Sequence, residues 1–336
     1  MSGMATRIAV LGAGSWGTAL GMQLARQGHE VRLWARDAER AGAMERDRVN
    51  HRYLPDTPFP ESLHVTADFE DACSGADRLL VATPSHAFGE TLDRVAPFVT
   101  PATGLAWASK GFEPGTGRLL HEPAGERFGE EIPLALITGP SFAREVAEGL
   151  PTAVTVAATE PAFGRAWAAL LHGSNFRAYY TADLVGAELG GAIKNVLAVA
   201  CGMADGLGLG DNTRAALITR GLAEMRRLGR ALGADDHTLM GLAGVGDLVL
   251  TCTGDQSRNR RLGLALGQGR SVDEAMAEIG QVVEGIKTAE EVMRLAERAG
   301  VEMPIAEQVH GILFRGWSAR KGVQVLMERD LKAEAE

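Results

Sequence analysis

Six residues near the start, Gly12-Ala13-Gly14-Ser15-Trp16-Gly17, constrain this chain more than any other stretch. They follow directly on a short β-branched and apolar run, Arg7 to Leu11, and lead into a helical pattern that reaches Gln27. Gly28 stands where a left-handed residue closes a helix, and Glu30 to Trp34 reads as a second strand. Strand, glycine turn, helix and strand fit in the roughly 30 residues of one βαβ unit with a dinucleotide fingerprint. Gly12 permits a tight turn, Gly14 lets backbone approach a pyrophosphate, and Gly17 lets the helix pack close on its strand. The free N–H groups and positive dipole end of that helix then face the anion. The competing reading is a tight turn without a ligand.

At the end of the second strand, Trp34-Ala35-Arg36-Asp37, the first charged side chain is Arg36. NAD-specific proteins usually carry an acid there for the ribose 2′-hydroxyl, whereas a guanidinium pairs with the 2′-phosphate of NADPH. NADPH is therefore expected to be accepted, and Asp37 leaves NADH open; the competing reading of Arg36 is a solvated loop arginine. Further strand-like runs are Leu63 to Thr66, Arg78 to Thr83, Leu105 to Ser109, Leu134 to Thr138, Ala153 to Ala157 and Phe176 to Tyr180, with helical segments between them. That alternation predicts a mostly parallel, doubly wound sheet of the Rossmann type over residues 1–182. Ligands in such sheets sit beyond the carboxyl ends of strands, which puts Lys110, in Ser109-Lys110-Gly111, in the same cleft as a cofactor. A surface lysine is the alternative.

From Asp183 the pattern changes to helix, and an all-α domain is expected over 183–336. The stretch from Asp183 to Asp205 is apolar around most of a helix, and Lys194 is its only basic residue. Burying an ammonium removes hydration that partners or a pKa shift must replace. Gly190 and Gly191 lie on the face of Lys194 and suggest a ligand space in front of its amine. A tightly packed helix crossing with a snorkelling lysine is the competing reading. A glycine-rich bend from Gly202 to Gly210, a helix cap at Asp211-Asn212, a helix from Thr213 to Leu232, capping-box patterns at Ser271 and at Thr288, the second inside or at the start of a further helix that stops at Gly300, and a fraying tail after Leu326 complete the expectation.

Two loops here are chemically dense. Gly244-Val245-Gly246-Asp247-Leu248 sets an acid in a glycine turn, and Thr251 to Arg261 gathers hydroxyls, amides and the arginines Arg258, Arg260 and Arg261. Ser257, Arg258 and Asn259 offer the neutral and guanidinium donors that a phosphate monoester requires, against the alternative of a solvated helix start. The chain carries a formal net charge of −9, so a dianion must find a local cluster, and a nucleic-acid backbone is not an expected partner. Cys73, Cys201 and Cys252 form no metal-ligand or disulfide pattern, which fits a reducing cytoplasm without a metal site. No uninterrupted apolar run of the ~18 residues a membrane span requires is expected, nor any targeting segment.

With Gly-x-Gly-Ser-Trp-Gly at 12 to 17, Ser-Lys-Gly at 109 to 111, Gly-Pro-Ser-Phe-Ala at 139 to 143, Glu-Leu-Gly-Gly-Ala-Ile-Lys-Asn at 188 to 195, Gly-Asp-Asn-Thr-Arg-Ala-Ala-Leu at 210 to 217, Gly-Asp-Leu-Val-Leu-Thr-Cys at 246 to 252 and Ser-Arg-Asn-Arg at 257 to 260, the chain resembles bacterial NAD(P)-dependent glycerol-3-phosphate dehydrogenases. The resemblance implies reversible hydride transfer between the nicotinamide and C2 of dihydroxyacetone phosphate, giving sn-glycerol 3-phosphate for phospholipid synthesis. It implies Lys194 as proton donor and acceptor with Asn195 and Asp247 beside it. Lys110, Gly139, Ser141, Ser257, Arg258 and Asn259 match substrate positions; Ser15, Trp16, Arg36, Lys110, Ala143, Arg258, Val282 and Glu284 match cofactor positions. A homodimer is the family expectation. Members often carry a second basic residue after the one matching Arg36, where this chain has Asp37.

Reducing a ketone needs a hydride at carbon and a proton at oxygen, and a desolvated lysine has its pKa drawn towards working pH for that proton. The nearest alternative enzyme is of the β-hydroxyacid or 6-phosphogluconate type. Such enzymes tend to carry an asparagine one turn after the lysine, where this chain has Ala198, and Asn195 is adjacent instead. A dinucleotide-binding sensor without turnover is a third reading, but it has no use for an acid, two lysines and an anion loop.

Overall fold

Ile8 to Leu11 have no solvent exposure at all, because the strand they form is covered on both faces and flanked on both edges. The computed structural model describes residues 5–329. Its strands are β1 (Arg7–Leu11), β2 (Glu30–Trp34), β3 (Val49–Asn50), β4 (Leu54–Pro58), β5 (Leu63–Thr66), β6 (Arg78–Val81), β7 (Leu105–Trp107), β8 (Leu134–Thr138), β9 (Thr152–Ala158) and β10 (Phe176–Thr181). Eight of them form one sheet in the order β10-β9-β8-β7-β6-β1-β2-β5. β1 pairs in parallel with β2 (Leu11 opposite Trp34) and with β6 (Leu11 opposite Val81). In this sheet only β8 and β9 run antiparallel. The carboxyl ends of β1, β2, β6, β7 and β8 therefore share an edge, which collects the glycine loop, Arg36, Lys110 and Gly139.

The first helices are α1 (Ser15–Arg26), α2 (Ala38–Asp47), α3 (Phe69–Cys73), α4 (Phe88–Val95), α5 (His121–Phe128), α6 (Ala143–Glu148) and α7 (Pro161–Leu171). The short hairpin β3–β4 was not expected. Its strands contain Asn50, Pro55, Asp56 and Pro58, so it has no apolar alternation to read. The expected strands at Arg78 and Leu105 end two residues early, before Thr83 and Ser109 turn into the site.

After Leu184 the described residues form helices only: α8 (Leu184–Gly206), α9 (Gly210–Ala231), α10 (Asp236–Leu239), α11 (Asp247–Thr253), α12 (Arg258–Gly267), α13 (Val272–Ile279), α14 (Glu284–Ala299), α15 (Pro304–Phe314) and α16 (Ala319–Met327). Asp183 caps α8, its carboxylate accepting from Gly186 N–H. By length and composition α8 would suffice to cross a membrane, contrary to the expectation that no run does. It is instead the buried shaft of the helical half, nearly all of it enclosed by protein.

Glycines set the closest crossing, between α8 and α12. A Cβ on Gly202 or Gly206 would collide with the Arg260 or Leu264 carbonyl oxygen, and one on Gly263 or Gly267 with those of Val199 and Met203. The two backbones thus lie against each other, with Gly-x-x-x-Gly spacing on both helices. α8 runs on to Gly206, so the bend expected from Gly202 shrinks to residues 207–209. Asp211 and Asn212 do not cap α9: it starts at Gly210, and Asp211 sits in its first turn. The capping box at Ser271 is present, and Gly300 closes α14 in the left-handed region. Thr288 lies inside α14 and is no cap; its hydroxyl donates to the Glu284 carbonyl. Of the tail after Leu326, residues 330–336 lie outside the described residues.

Candidate active site

Lys194 sits midway along α8 and is 7% exposed. Its Nζ lies 2.5 Å from Asp247 Oδ1, while Lys110 Nζ lies 2.7 Å from Asp247 Oδ2. One buried carboxylate thus holds two ammonium groups, one from each half of the chain. Burial draws the Lys194 pKa down from 10.5 to about 8, Asp247 opposing the shift and Lys110 adding to it. Burial pushes the Asp247 carboxyl up, but Lys110 and Lys194 outweigh it and hold the group below its ordinary value. Lys110 also donates to the Gly139 carbonyl at 3.3 Å, which in turn accepts from Ser141 Oγ at 2.9 Å. Lys110, Gly139, Ser141, Lys194 and Asp247 are therefore in one connected network.

Asp247 reaches Lys194 because a π-helical turn, Leu242–Gly246, leads into α11. The expected glycine turn is helical, widened by one residue per turn. Gly190 and Gly191 do not leave a ligand space. A Cβ at Gly190 would collide with the Ala243 carbonyl oxygen of that π-turn, and one at Gly191 would lie 2.9 Å from Thr138 Oγ1. Gly190 lets two backbones approach, as in the packed-crossing reading, and that approach brings Asp247 up to the amine, while Gly191 makes room for the Thr138 and Lys110 side chains. Sequence reasoning missed the orienting role of Thr251, whose hydroxyl donates to the Asp247 carbonyl at 2.6 Å and lies 3.3 Å from its Oδ1. The i, i+4 spacing was the available signal.

Asn195 and Asn259 meet across the α8–α12 crossing. Asn259 Nδ2 donates to Asn195 Oδ1 at 2.8 Å, and Asn259 Oδ1 accepts from Gly285 N–H at 2.9 Å. The pair thereby ties the start of α14, with Val282 and Glu284, to the lysine helix. Ser257 caps α12 by accepting from Arg260 N–H. The three arginines of this turn separate. Arg260 is clamped by Asp205 (Nη2 at 2.7 Å) and Asp255 (Nη1 at 2.7 Å), and Arg261 points into solvent. Arg258 is half-buried with Gln281 Oε1 3.4 Å away. Burial raises the Glu284 carboxyl, while Arg258, then Lys110 and Lys194, pull it down, so all four charges share one neighbourhood.

The glycine loop has the geometry a dinucleotide needs. Gly12 has φ +128°, which a side chain rarely adopts, and a Cβ on Gly17 would collide with the Gly12 carbonyl oxygen. A Cβ on Gly14 would meet no protein atom within 4 Å, so packing does not require a glycine there, whereas backbone approach by a phosphate does. α1 starts without a side-chain cap, and the indole N–H of Trp16 is buried with no partner. Ser15 and Trp16 open α1, and Ala143 opens α6, which packs against it. Arg36 is exposed just past β2, and Val282 is exposed before α14. Arg36 lies at the carboxyl-end edge of the sheet, next to the glycine loop that follows β1. Among the described residues no cluster of His, Cys, Asp and Glu could hold a metal ion, and the three cysteines are free and buried.

Residues 7–164 match the N-terminal model, and 183–324 the C-terminal model, of NAD-dependent glycerol-3-phosphate dehydrogenase. The chain belongs to this family. A Stenotrophomonas maltophilia glycerol-3-phosphate dehydrogenase [NAD(P)+] is 58% identical over 334 residues, 99% of this chain and 98% of the relative. One from Tolumonas auensis is 54% identical over 331 residues, covering 98% and 99%. The crystal structure of glycerol-3-phosphate dehydrogenase from Coxiella burnetii superposes with a TM-score of 0.93 at 48% identity, covering 97% of this chain and 99% of that one. This member of the dehydrogenase family is therefore an NAD(P)-dependent oxidoreductase, with the two-part architecture expected from its sequence.

Proposed function

We propose that the chain interconverts dihydroxyacetone phosphate and sn-glycerol 3-phosphate, with Lys194 as the general acid for reduction and the general base for oxidation. The observation that carries this reading is the buried Lys110–Asp247–Lys194 network, in which burial brings the Lys194 pKa to about 8. NADPH or NADH, when bound, supplies the hydride to C2. Lys194 delivers its proton to the developing alkoxide at the C2 oxygen, and Asp247 keeps its amine in place. Two ammonium groups against one carboxylate leave positive charge for that oxygen. Arg258, with Ser257 and Asn259 alongside, receives the phosphate. Ser15, Trp16, Ala143, Val282 and Glu284 serve the cofactor. The position one turn after the lysine is Ala198, which has no polar group to partner it, and this argues against the β-hydroxyacid alternative.

The reading extends to a cytoplasmic homodimer that supplies glycerol 3-phosphate to phospholipid synthesis, with the division between its halves at 182/183. A steady-state assay of dihydroxyacetone phosphate with NADPH and with NADH tests the reaction. Absence of substrate-dependent cofactor oxidation with both would reject it.

A further inference from the structure

Directly after Arg36 the chain carries an acid, Asp37, and no second basic residue. The Asp37 carboxylate is committed elsewhere: it caps α2, with Oδ1 accepting from Arg40 N–H at 2.8 Å. That cap fixes the first turn of α2 and brings the Arg40 side chain back towards the glycine loop. Arg40 Nη2 donates to the Ala13 carbonyl at 2.8 Å, inside Gly12-Ala13-Gly14. Its guanidinium carbon lies 4.7 Å from the centre of the Tyr53 ring, which belongs to the β3–β4 hairpin. Asn50 of the same hairpin donates to the same Ala13 carbonyl at 3.2 Å. The Arg40 Nε–H is buried and has no partner. A guanidinium is thus braced against the cofactor loop, with a donor still unsatisfied, four residues after Arg36.

We infer that Arg40 is the second cation of the 2′-phosphate site, beside Arg36, and sets a preference for NADPH over NADH. The inference rests on the reading of Arg36 as a 2′-phosphate ligand. A stacked, hydrogen-bonded arginine is pre-organised, so less side-chain entropy is lost when it engages a phosphate. One further cation, Lys287, stands near the same edge. Burial lowers the His86 imidazole, and the charges of Lys287 and Arg36 lower it further, which brings α14, the turn after β6 and the end of β2 into one positive neighbourhood. In a chain of net charge −9 such a concentration needs a reason, and a dianionic phosphate provides one.

The test is the Kd of NADPH and of NADH for the full chain, measured by quenching of intrinsic fluorescence, in the wild type, Arg36→Ala, Arg40→Ala and Arg40→Gln. Glutamine keeps an N–H donor for the Ala13 carbonyl while removing the charge, so it separates phosphate binding from bracing of the loop. Loss of a charge-assisted phosphate contact corresponds to about ten- to hundredfold in affinity. Arg36→Ala and Arg40→Gln are each expected to weaken NADPH by that factor and leave NADH unchanged, with melting temperatures near wild type. If Arg36→Ala is selective but Arg40→Gln weakens neither cofactor, or both equally, Arg40 only braces the loop and the inference fails. If Arg36→Ala weakens both cofactors equally, the reading beneath it fails as well.

Discussion

Lys194 and Asp247 are 53 residues apart in the chain, yet their charged atoms meet at 2.5 Å in the interior, and the carboxylate that receives Lys194 also receives Lys110. Removing Lys194 therefore does not strand an unpaired buried charge, since Asp247 keeps Lys110. Lys194→Ala should fold and bind cofactor while losing about 10²- to 10⁴-fold in kcat. Single-turnover rates, cofactor titration and a melting curve check this together. Retention of more than about a tenth of the wild-type kcat would remove Lys194 as the acid.

The Lys194 pKa of about 8 gives opposite pH profiles in the two directions. Ketone reduction needs the ammonium form, so kcat/KM should be flat at low pH and fall above about 8. Alcohol oxidation needs the neutral amine and should rise through the same pH. Asp247 opposes the downward shift, so Asp247→Asn should move both limbs to lower pH as well as slowing turnover. A limb that stays in place would mean that another group titrates.

Arg258 and Arg260, two residues apart, should fail differently. Arg258→Ala is expected to cost about 2–3 kcal/mol in kcat/KM for dihydroxyacetone phosphate, and little for unphosphorylated dihydroxyacetone. Arg260 is held by Asp205, which also accepts from Arg214 Nη1 at 2.8 Å. Arg260→Ala should lower unfolding free energy by about 1–3 kcal/mol and affect both substrates alike. Equal losses for the two substrates in Arg258→Ala would show that it does not read the phosphate.

Local chemistry in the sequence accounts for most of the site. The glycine loop, the isolated Lys194 and the turn at Ser257 could all be read because each breaks a local preference: three glycines at a strand end, a cation in an apolar helix, arginines crowded into an acidic chain. What could not be read depends on tertiary approach. The π-turn at Leu242–Gly246 has no signature of its own, so the reason for Gly190 was invisible; its partner is a backbone carbonyl more than 50 residues away. Spacing could not sort Arg258 from Arg260 either, because their fates depend on Asp205 at the far end of α8. The hairpin at Val49–Pro58 escaped notice because its buried apolar side chains, Val49 and Leu54, show no alternation among Asn50, Pro55, Asp56 and Pro58, and because Asn50 and Tyr53 meet Ala13 and Arg40 only in the folded chain.

The last prediction concerns the glycines that fix how the α12 turn faces the lysine helix. Glycine inside a helix normally costs about 1 kcal/mol relative to alanine, so Gly→Ala should stabilise wherever space allows. Gly125 in α5 meets that condition, since a Cβ there would touch nothing within 4 Å. Gly125→Ala should raise stability by about 0.4–1 kcal/mol. Gly263 is the opposite case, because its Cβ would be driven into the Val199 carbonyl oxygen and would also lie 2.9 Å from Met203 N. Neither obstacle is a flexible side chain, so the helices must separate, at a cost of about 1–3 kcal/mol or more. Separation would also pull Asn259 from Asn195, and with it the start of α14, so KM for the phosphorylated substrate should rise in the fraction that folds. Denaturant melts of both variants, with KM measured for each, check the contrast. A stabilised Gly263→Ala with unchanged KM would show that the α8–α12 crossing has slack and does not set the site.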